Sequence, residues 1–401
     1  MKKLVQFGAG NIGRSFLGQL FARSGYEVVF VDIDERLVEG LNRERKYRVM
    51  IKQTDKPDES LVISNVRAVN GKDTEAVARE IAEADILATS VGQRALPVIL
   101  KVISEGLKLR REQYGERALD IIIAENMHGA GKFFEQYLSK LLPGDYPLDK
   151  LVGLVETSIG KMVPIMREKD LEEDPLWVFA EPYNELILDK LAFKNPIPDV
   201  AGLAPKNNMK AYVDRKLFIH NLGHAATAYF GYQLKPTLIY TYEVLDIAEV
   251  FEKARQSMMQ SAKALIKEYP EELKLAELIR HVDDLLVRFR NKALGDTVYR
   301  VGRDLYRKLG KNDRLIGAML LGQKHECEMD EIARAVVAGV HFRGRDEKGH
   351  LFADDRRFVV EEFPQGLEHI LTSVSGLNWT DPIEAQVIKK ILRVACPEGH
   401  I

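Results

Sequence analysis

Cysteine is nearly missing from this chain. Two residues in 401, Cys327 and Cys396, are too few for a disulfide framework, which fits a reducing compartment. Long hydrophobic runs are missing as well, since no stretch reaches the roughly 18 apolar residues of a membrane span. Charge of one sign is not in surplus either: 58 Lys and Arg face 60 Asp and Glu, a formal net charge of -2. That balance excludes a general attraction to nucleic acid or anionic membrane, so an anionic ligand would have to be bound locally. Repeats and low-complexity segments are absent. The opening MKKLVQFGAGNIG carries two lysines but only a short apolar run before its glycines, so neither a signal peptide nor an anchor is expected there, and the cytoplasm is the expected compartment. The run His325, Glu326, Cys327, Glu328 has metal-ligand residue types without a second cluster of matching spacing, and no metal site is expected.

What is present is the composition of an ordinary soluble protein, 46% hydrophobic and 29% charged. A chain of 401 residues exceeds what one hydrophobic core usually supports, so two domains are expected.

The first half alternates strand and helix signals. Leu4 to Phe7 is a short buried-strand run that enters Gly8, Ala9, Gly10, Asn11, Ile12 and Gly13. Helical periodicity from Arg14 to Ser24 follows, then a second strand from Glu27 to Ile33 with Asp32 at its end. A bare GxGxxG is weak, but here strand, glycine turn, helix, strand and acid stand in order, which is the signature of a dinucleotide-binding βαβ unit. Gly8 permits the tight turn, Gly10 lets the backbone approach a pyrophosphate, and Gly13 lets the helix pack closely on the strand. The helix N-terminus offers free N–H groups to the phosphates. Asp32 would accept from the adenosine ribose hydroxyls and repel a 2′-phosphate, favouring NAD over NADP. Further strands are expected at Tyr47–Ile51, Leu61–Val69, Asp85–Val91, Asp120–Glu125, Leu151–Ser158 and Trp177–Ala180, and helices at Thr74–Ala84 and Leu96–Leu107. Ligands of parallel α/β sheets bind at the carboxyl ends of strands, so Gly92, Gln93, Glu125, Asn126 and His128 are expected on the nicotinamide side. Asn126 reads equally well as a turn-forming residue. Pro182, Asn195, Pro196 and Pro198 mark a turn-rich zone, and the domains are expected to span 1–195 and 196–401.

The second half reads as almost wholly helical. The stretch Asp214 to Tyr232, DRKLFIHNLGHAATAYFGY, would place Lys216, Asn221 and His224 within an arc of about 140° on a regular helix. Gly223 there suggests a close approach to the backbone, as at a cleft wall. Further helices are expected at Ile239–Tyr269, Glu271–Phe289, Arg314–Leu321, Met329–Val340 and Pro382–Val394. Between them the segment Asp296 to Asp313 carries Arg300, Arg303, Arg307, Lys308 and Lys311. A charge run is usually a solvated face, but a basic loop also suits an anionic substrate, because guanidinium forks match phosphate or carboxylate.

A dinucleotide domain followed by a helical domain bearing Lys, Asn and His suggests hydride transfer. The cofactor takes the hydride, and the protein must remove the alcohol proton and steady the oxyanion. Lys216 can be the base if burial and nearby cations depress its pKa. Asn221 and Asn126 can donate to the carbinol oxygen, and His224 can orient hydroxyls.

The stretches GAGNIGRSF, AENM, RKLFIHNLGHA and RVGRDLYRKLGKNDRL resemble, in order and over nearly the whole chain, the polyol-specific long-chain dehydrogenase/reductase (mannitol dehydrogenase) family. The resemblance implies a Rossmann-type α/β domain followed by a mostly α-helical C-terminal domain. It implies metal-independent, NAD-dependent interconversion of D-mannitol 1-phosphate and D-fructose 6-phosphate by a monomer or small homo-oligomer. Lys216 matches the family's general base, Asn221 with Asn126 its oxyanion hole, and His224 a substrate contact. Arg300 and Lys308 match a substrate-binding pair eight residues apart, and Arg303, one turn from Arg300, is a further candidate for the phosphate. His220 falls outside the motif and is assigned to packing. One departure stands out. Where the family commonly has Asp-Arg before Val-Pro, this chain has Gly160-Lys161 before Met162, Val163 and Pro164. Gly160 has no side chain to bond a hydroxyl, so either that contact is made otherwise or the substrate differs. Mannitol 2-dehydrogenase and hexuronate (fructuronate or tagaturonate) reductase are the alternatives within the family; a catalytically silent NAD(H)-binding sensor is the alternative outside it.

Overall fold

Along β1 (Lys3–Phe7) the side chains alternate between two cores: Leu4 packs on one face of a sheet, Val5 and Phe7 on the other, each at most 2% exposed. Burial on both faces makes this a near-continuous apolar run, as expected of a central parallel strand. The computed structural model describes residues 1–54, 56–127, 129–164, 166 and 168–396, in two compact units, Met1–Met209 and Lys210–Ile401.

In the first unit β1 is flanked in parallel by β2 (Glu27–Asp32) and by a strand that follows three others in the chain. Those three are β3 (Lys46–Ile51), β4 (Glu59–Ser64) and β5 (Val66–Asn70), and the strand beside β1 is β6 (Ile86–Thr89). Next come β7 (Leu119–Ile123), β8 (Val152–Ser158), β9 (Val178–Ala180), β10 (Leu186–Asp189) and β11 (Leu203–Lys206). The main sheet has eight strands in the order β11-β10-β8-β7-β6-β1-β2-β5, parallel except where β10 meets β8; β4-β3-β9 form a small second sheet. Strand order reverses direction beside β1, the switch point where doubly wound sheets bind ligands at the strands' carboxyl ends.

Two details differ from the sequence reading. The run Leu61–Val69 is two strands in two sheets, broken at Asn65, whose φ of 61° turns the chain; asparagine tolerates that left-handed conformation better than most residues. The zone around Pro182–Pro198 encloses β10, and β11 beyond it continues the same sheet. Pro205 in β11 is tolerated because the strand lies at the sheet's edge, with β10 its one neighbour among the described residues.

The second unit is helical. Its buried centre is Leu222–Leu234, packed on Ala248–Glu268, Val298–Gly302 and Asp330–Val340. The expected helix Ile239–Tyr269 divides into Thr241–Leu245 and Ala248–Glu268. Short helical turns between Ala353 and Val374, which periodicity did not reveal, precede the last helix, Pro382–Ala395. The architecture is thus a Rossmann-type α/β unit followed by a helical one.

Candidate active site

The glycine turn is built as the motif demands. Gly8 has φ +88°, and a Cβ there would lie 2.6 Å from the Ser90 carbonyl oxygen. A Cβ at Gly13 would lie 1.9 Å from the Gly8 carbonyl oxygen, whereas one at Gly10 would meet nothing within 4 Å. Gly8 and Gly13 are therefore required by packing, while Gly10 leaves open space over the turn, which fits a pyrophosphate approaching the backbone. Asn11 and Ile12 form the first turn of the following helix. Asp32, at the end of β2, accepts from Ala9 N (2.7 Å) and from Asp34 N (3.1 Å), so it latches the turn to the strand. A carboxylate has lone pairs beyond these two bonds for ribose hydroxyls.

Sequence inspection missed Arg14. It is 5% exposed, donates to the carbonyls of Ala9 (2.6 Å) and Leu176 (2.7 Å), and holds the turn from beneath. Tyr47, from the small sheet, donates to the Arg14 carbonyl at 2.7 Å.

At the carboxyl ends of β6 and β7 the structure brings together Gly92, Gln93, Glu125 and Asn126. Glu125 accepts from Val91 N and Gly92 N, both at 2.9 Å, and Gln93 Nε2 donates to the Asn126 carbonyl at 3.3 Å. Burial raises the Glu125 carboxyl above its usual range, against those hydrogen bonds. His128 lies outside the described residues. Gly160 sits under Tyr183, whose ring and hydroxyl would be 3.5 and 3.6 Å from a Cβ there. Lys161 is committed to the structure, donating to the carbonyls of Glu181 (3.1 Å) and Tyr183 (2.6 Å) and to Asn184 Oδ1 (3.1 Å).

In the second unit the Lys-Asn-His stretch is not a regular α-helix. Met209–Arg215 is α-helical, Lys216–Asn221 is a π-helical turn, and Leu222–Leu234 is α-helical again. Bonding from i to i+5 lowers the rotation per residue, so Lys216 and Asn221, five apart, lie closer to one face than the roughly 140° of a regular helix. π-turns are rare and are frequently found at functional sites. Gly223 is not a cleft wall. A Cβ there would lie 2.4 Å from Met258 Sδ, so the glycine serves close packing against Ala248–Glu268.

Protein crowds the Lys216 amine although the side chain as a whole keeps some exposure. Burial, with Arg314 second, lowers its pKa to about 8. His224 stacks on Phe289 (ring centroids 4.7 Å apart, 13° between planes). Its Nε2 is 3.2 Å from Asp296 Oδ2, though off the line of a good hydrogen bond. Burial, then Arg300, Lys308 and Arg314, depress its pKa to about 3, so the ring is neutral. His220 is buried against Phe289, at 5.5 Å between ring centroids.

The basic segment is two short helices, Val298–Gly302 and Leu305–Lys308, rather than a loop. Asp304 between them has φ 75°, and Asp355 fixes the bend by accepting from Asp304 N (3.1 Å) and Leu305 N (2.8 Å). Arg300 pairs with Asp296. Arg303 lies over the rings of Tyr299 and Phe352, 5.4 and 5.3 Å from their centroids. Lys308 is 4% exposed, donates to the Val301 carbonyl, and is held well below its usual pKa by burial and by Arg314 and Arg307.

Arg314 is the cation common to all three depressed groups, and its role was not legible in the sequence. Its Nε donates to Asp313 Oδ1 (2.6 Å) and its guanidinium to the Asn221 carbonyl (3.4 Å). Burial would raise the Asp313 carboxyl, but Arg314 holds it below the usual range. Replacing Arg314 with Leu is expected to shift the Lys216 titration upward, by up to about one pH unit. The alkaline midpoint of the pH–kcat profile would report this shift; an unmoved midpoint would remove Arg314 from the tuning of Lys216.

A nucleotide turn in one unit and a depressed lysine beside amide, imidazole and guanidinium groups in the other define a dinucleotide-dependent oxidoreductase. Comparison with known proteins makes the class specific. Residues 2–202 match the family model for the mannitol dehydrogenase Rossmann domain, and residues 208–371 that for the mannitol dehydrogenase C-terminal domain. The chain belongs to the mannitol dehydrogenase family. It is 34% identical over 390 residues to mannitol-1-phosphate 5-dehydrogenase of Bacillus subtilis (strain 168), covering 96% of this chain and 99% of that protein. It is 37% identical over 316 residues to the Geobacillus stearothermophilus protein of the same name, covering 78% and 80% respectively. Among solved structures, a D-sorbitol dehydrogenase in substrate-free form (TM-score 0.76, 17% identity, 97% of this chain and 91% of that one) shares the fold. So does Pseudomonas fluorescens mannitol 2-dehydrogenase in a ternary complex with NAD and D-mannitol (TM-score 0.74, 16% identity, 98% and 91%).

Proposed function

We propose that this protein interconverts D-mannitol 1-phosphate and D-fructose 6-phosphate with NAD, with Lys216 as the general base. The observation that carries the reading is the Lys216 amine, brought to a pKa of about 8 within a π-turn that also presents Asn221. Near-neutral titration suits a group that must take a proton from an alcohol in one direction and return it in the other. NAD supplies the hydride acceptor. The glycine turn, from Gly8 through Ala9, Gly10, Asn11 and Ile12 to Gly13, would hold its pyrophosphate and Asp32 its adenosine ribose, with Gly92 on the side that would take its nicotinamide. In the oxidative direction the carbinol proton passes to Lys216 while Asn221 and Asn126 donate to the oxygen that becomes the carbonyl. His224 orients a substrate hydroxyl. Arg300 and Lys308 contact the substrate and Arg303 holds its phosphate; the names of the relatives and the charge of this segment both favour a phosphorylated substrate. No resident metal has a part in these steps.

The test is NADH oxidation by the purified protein against fructose 6-phosphate, fructose, fructuronate and tagaturonate in parallel. Fructose 6-phosphate is expected to exceed fructose in kcat/KM by at least about 100-fold, as loss of the charge-assisted contacts to the phosphate would imply. Preference for fructose or a hexuronate would move the substrate while leaving the hydride chemistry in place.

A further inference from the structure

Asp296 stands outside every role assigned so far, yet it joins two of the residues given substrate contacts. It is 4% exposed. Its main-chain oxygen accepts from Thr241 N (2.9 Å) and Thr241 Oγ1 (3.2 Å), which fixes the backbone. Its carboxylate divides in two directions: Oδ2 faces His224 Nε2 at 3.2 Å and Oδ1 pairs with Arg300, one helical turn on. Thr297 Oγ1 caps the helix that carries Arg300, accepting from Arg300 N at 3.1 Å. His224 is held on one face by Phe289 and at one edge by Asp296. A buried carboxylate is not a cheap way to stabilise a fold, since apolar side chains of similar volume often do as well. Its position between an imidazole and a guanidinium from separate helices points to a different use.

We propose that Asp296 is a positioning residue that sets the orientation of His224 and Arg300 toward the substrate and fixes the His224 proton on Nε2. A neutral imidazole cannot present a lone pair to a carboxylate without repulsion, so Nε2 carries the hydrogen and Nδ1 is left as an acceptor. His224 thereby accepts a hydrogen bond from a substrate hydroxyl and does not donate to the oxyanion, which leaves oxyanion stabilisation to the amides. Arg300, drawn back to Asp296, is pre-set to receive an anionic group without first ordering a free side chain.

This inference rests on the reading that His224 and Arg300 touch the substrate, and the experiment separates failure of one from failure of the other. Asp296→Asn keeps the volume and removes the charge. It is expected to raise KM for fructose 6-phosphate about 10-fold to 100-fold, with a smaller change in kcat, as misplacement of substrate-contacting groups would. NADH affinity should stay within about twofold, because cofactor contacts are untouched. The same substitution made on a His224→Ala, Arg300→Ala background is expected to cost less than about threefold, since residues that act through one another are not additive. Wild-type KM in Asp296→Asn, or an equal loss in both backgrounds, would overturn the proposal. If His224→Ala and Arg300→Ala themselves leave KM and kcat unchanged, the substrate-contact reading falls and the positioning role with it. Should Asp296→Asn not accumulate as folded protein, the ¹⁵N chemical shifts of the His224 ring in the wild-type protein decide: a protonated Nε2 and a bare Nδ1 are expected, and the opposite tautomer overturns the proposal.

Discussion

Lys216→Ala is expected to lower kcat about 10²- to 10⁴-fold, the usual contribution of a general acid–base group, while NADH binding stays at the wild-type level. Burial and Arg314 place the Lys216 pKa at about 8, which fixes the sign of the pH dependence. Polyol oxidation needs the neutral amine, so kcat should rise as pH passes upward through that value and then level off. Ketose reduction needs the ammonium form, so kcat should be level below it and fall above it. Opposite limbs sharing one midpoint identify a single group that works in both directions. Steady-state kinetics in each direction, with the cofactor saturating, provide the measurement. Turnover that survives the substitution, or parallel limbs in the two directions, would show that the proton goes elsewhere.

The second large effect is expected at the glycine turn, where two neighbouring substitutions should part company. Gly13→Ala forces a Cβ to within 1.9 Å of the Gly8 carbonyl oxygen. Gly8 cannot yield, because its own φ of +88° and its approach to Ser90 already constrain it. Overpacking of this kind costs about 1–3 kcal/mol, or more where backbone must move, and the helix start would be displaced from the phosphates. Loss of stability and loss of NADH binding should appear together. Gly10→Ala meets nothing within 4 Å, so stability should change by no more than about 0.5 kcal/mol. NADH binding should still weaken at least about 10-fold, because the methyl would stand where the pyrophosphate approaches the backbone. Thermal unfolding and NADH titration of the two variants separate these effects; wild-type NADH affinity in Gly10→Ala would mean that the phosphates do not lie over that residue.

How far the sequence could be read depended on whether the relevant interactions were local. The first βαβ unit was legible because each part has its own residue signal: apolar strand, glycines at fixed offsets, and Asp32 at the end of the next strand. Lys216, Asn221 and His224 were legible as a spacing, but the π-turn that draws the first two together was not. Gly223 misled because a glycine records only that something comes close, and here Met258 of a packing helix does. The split of Leu61–Val69 into β4 and β5 turned on one asparagine adopting a positive φ. The basic segment looked like a loop because each of its helices is too short to show a period, and Asp355, which fixes the bend at Asp304, arrives from some fifty residues further along. Arg14, Asp296 and Arg314 were overlooked for a common reason. Each acts through a carbonyl, a ring or a carboxylate supplied by tertiary structure, so neither its residue type nor its spacing set it apart from the solvated charges nearby.

The most direct test of the central claim is product stoichiometry: the purified protein with NADH and fructose 6-phosphate in the presence of EDTA, with NADH consumed and polyol phosphate formed measured in the same sample. The expected result is one mannitol 1-phosphate for each NADH oxidised, undiminished by the chelator. NADH that binds but is not consumed would contradict the account and leave a dinucleotide-binding protein without this chemistry.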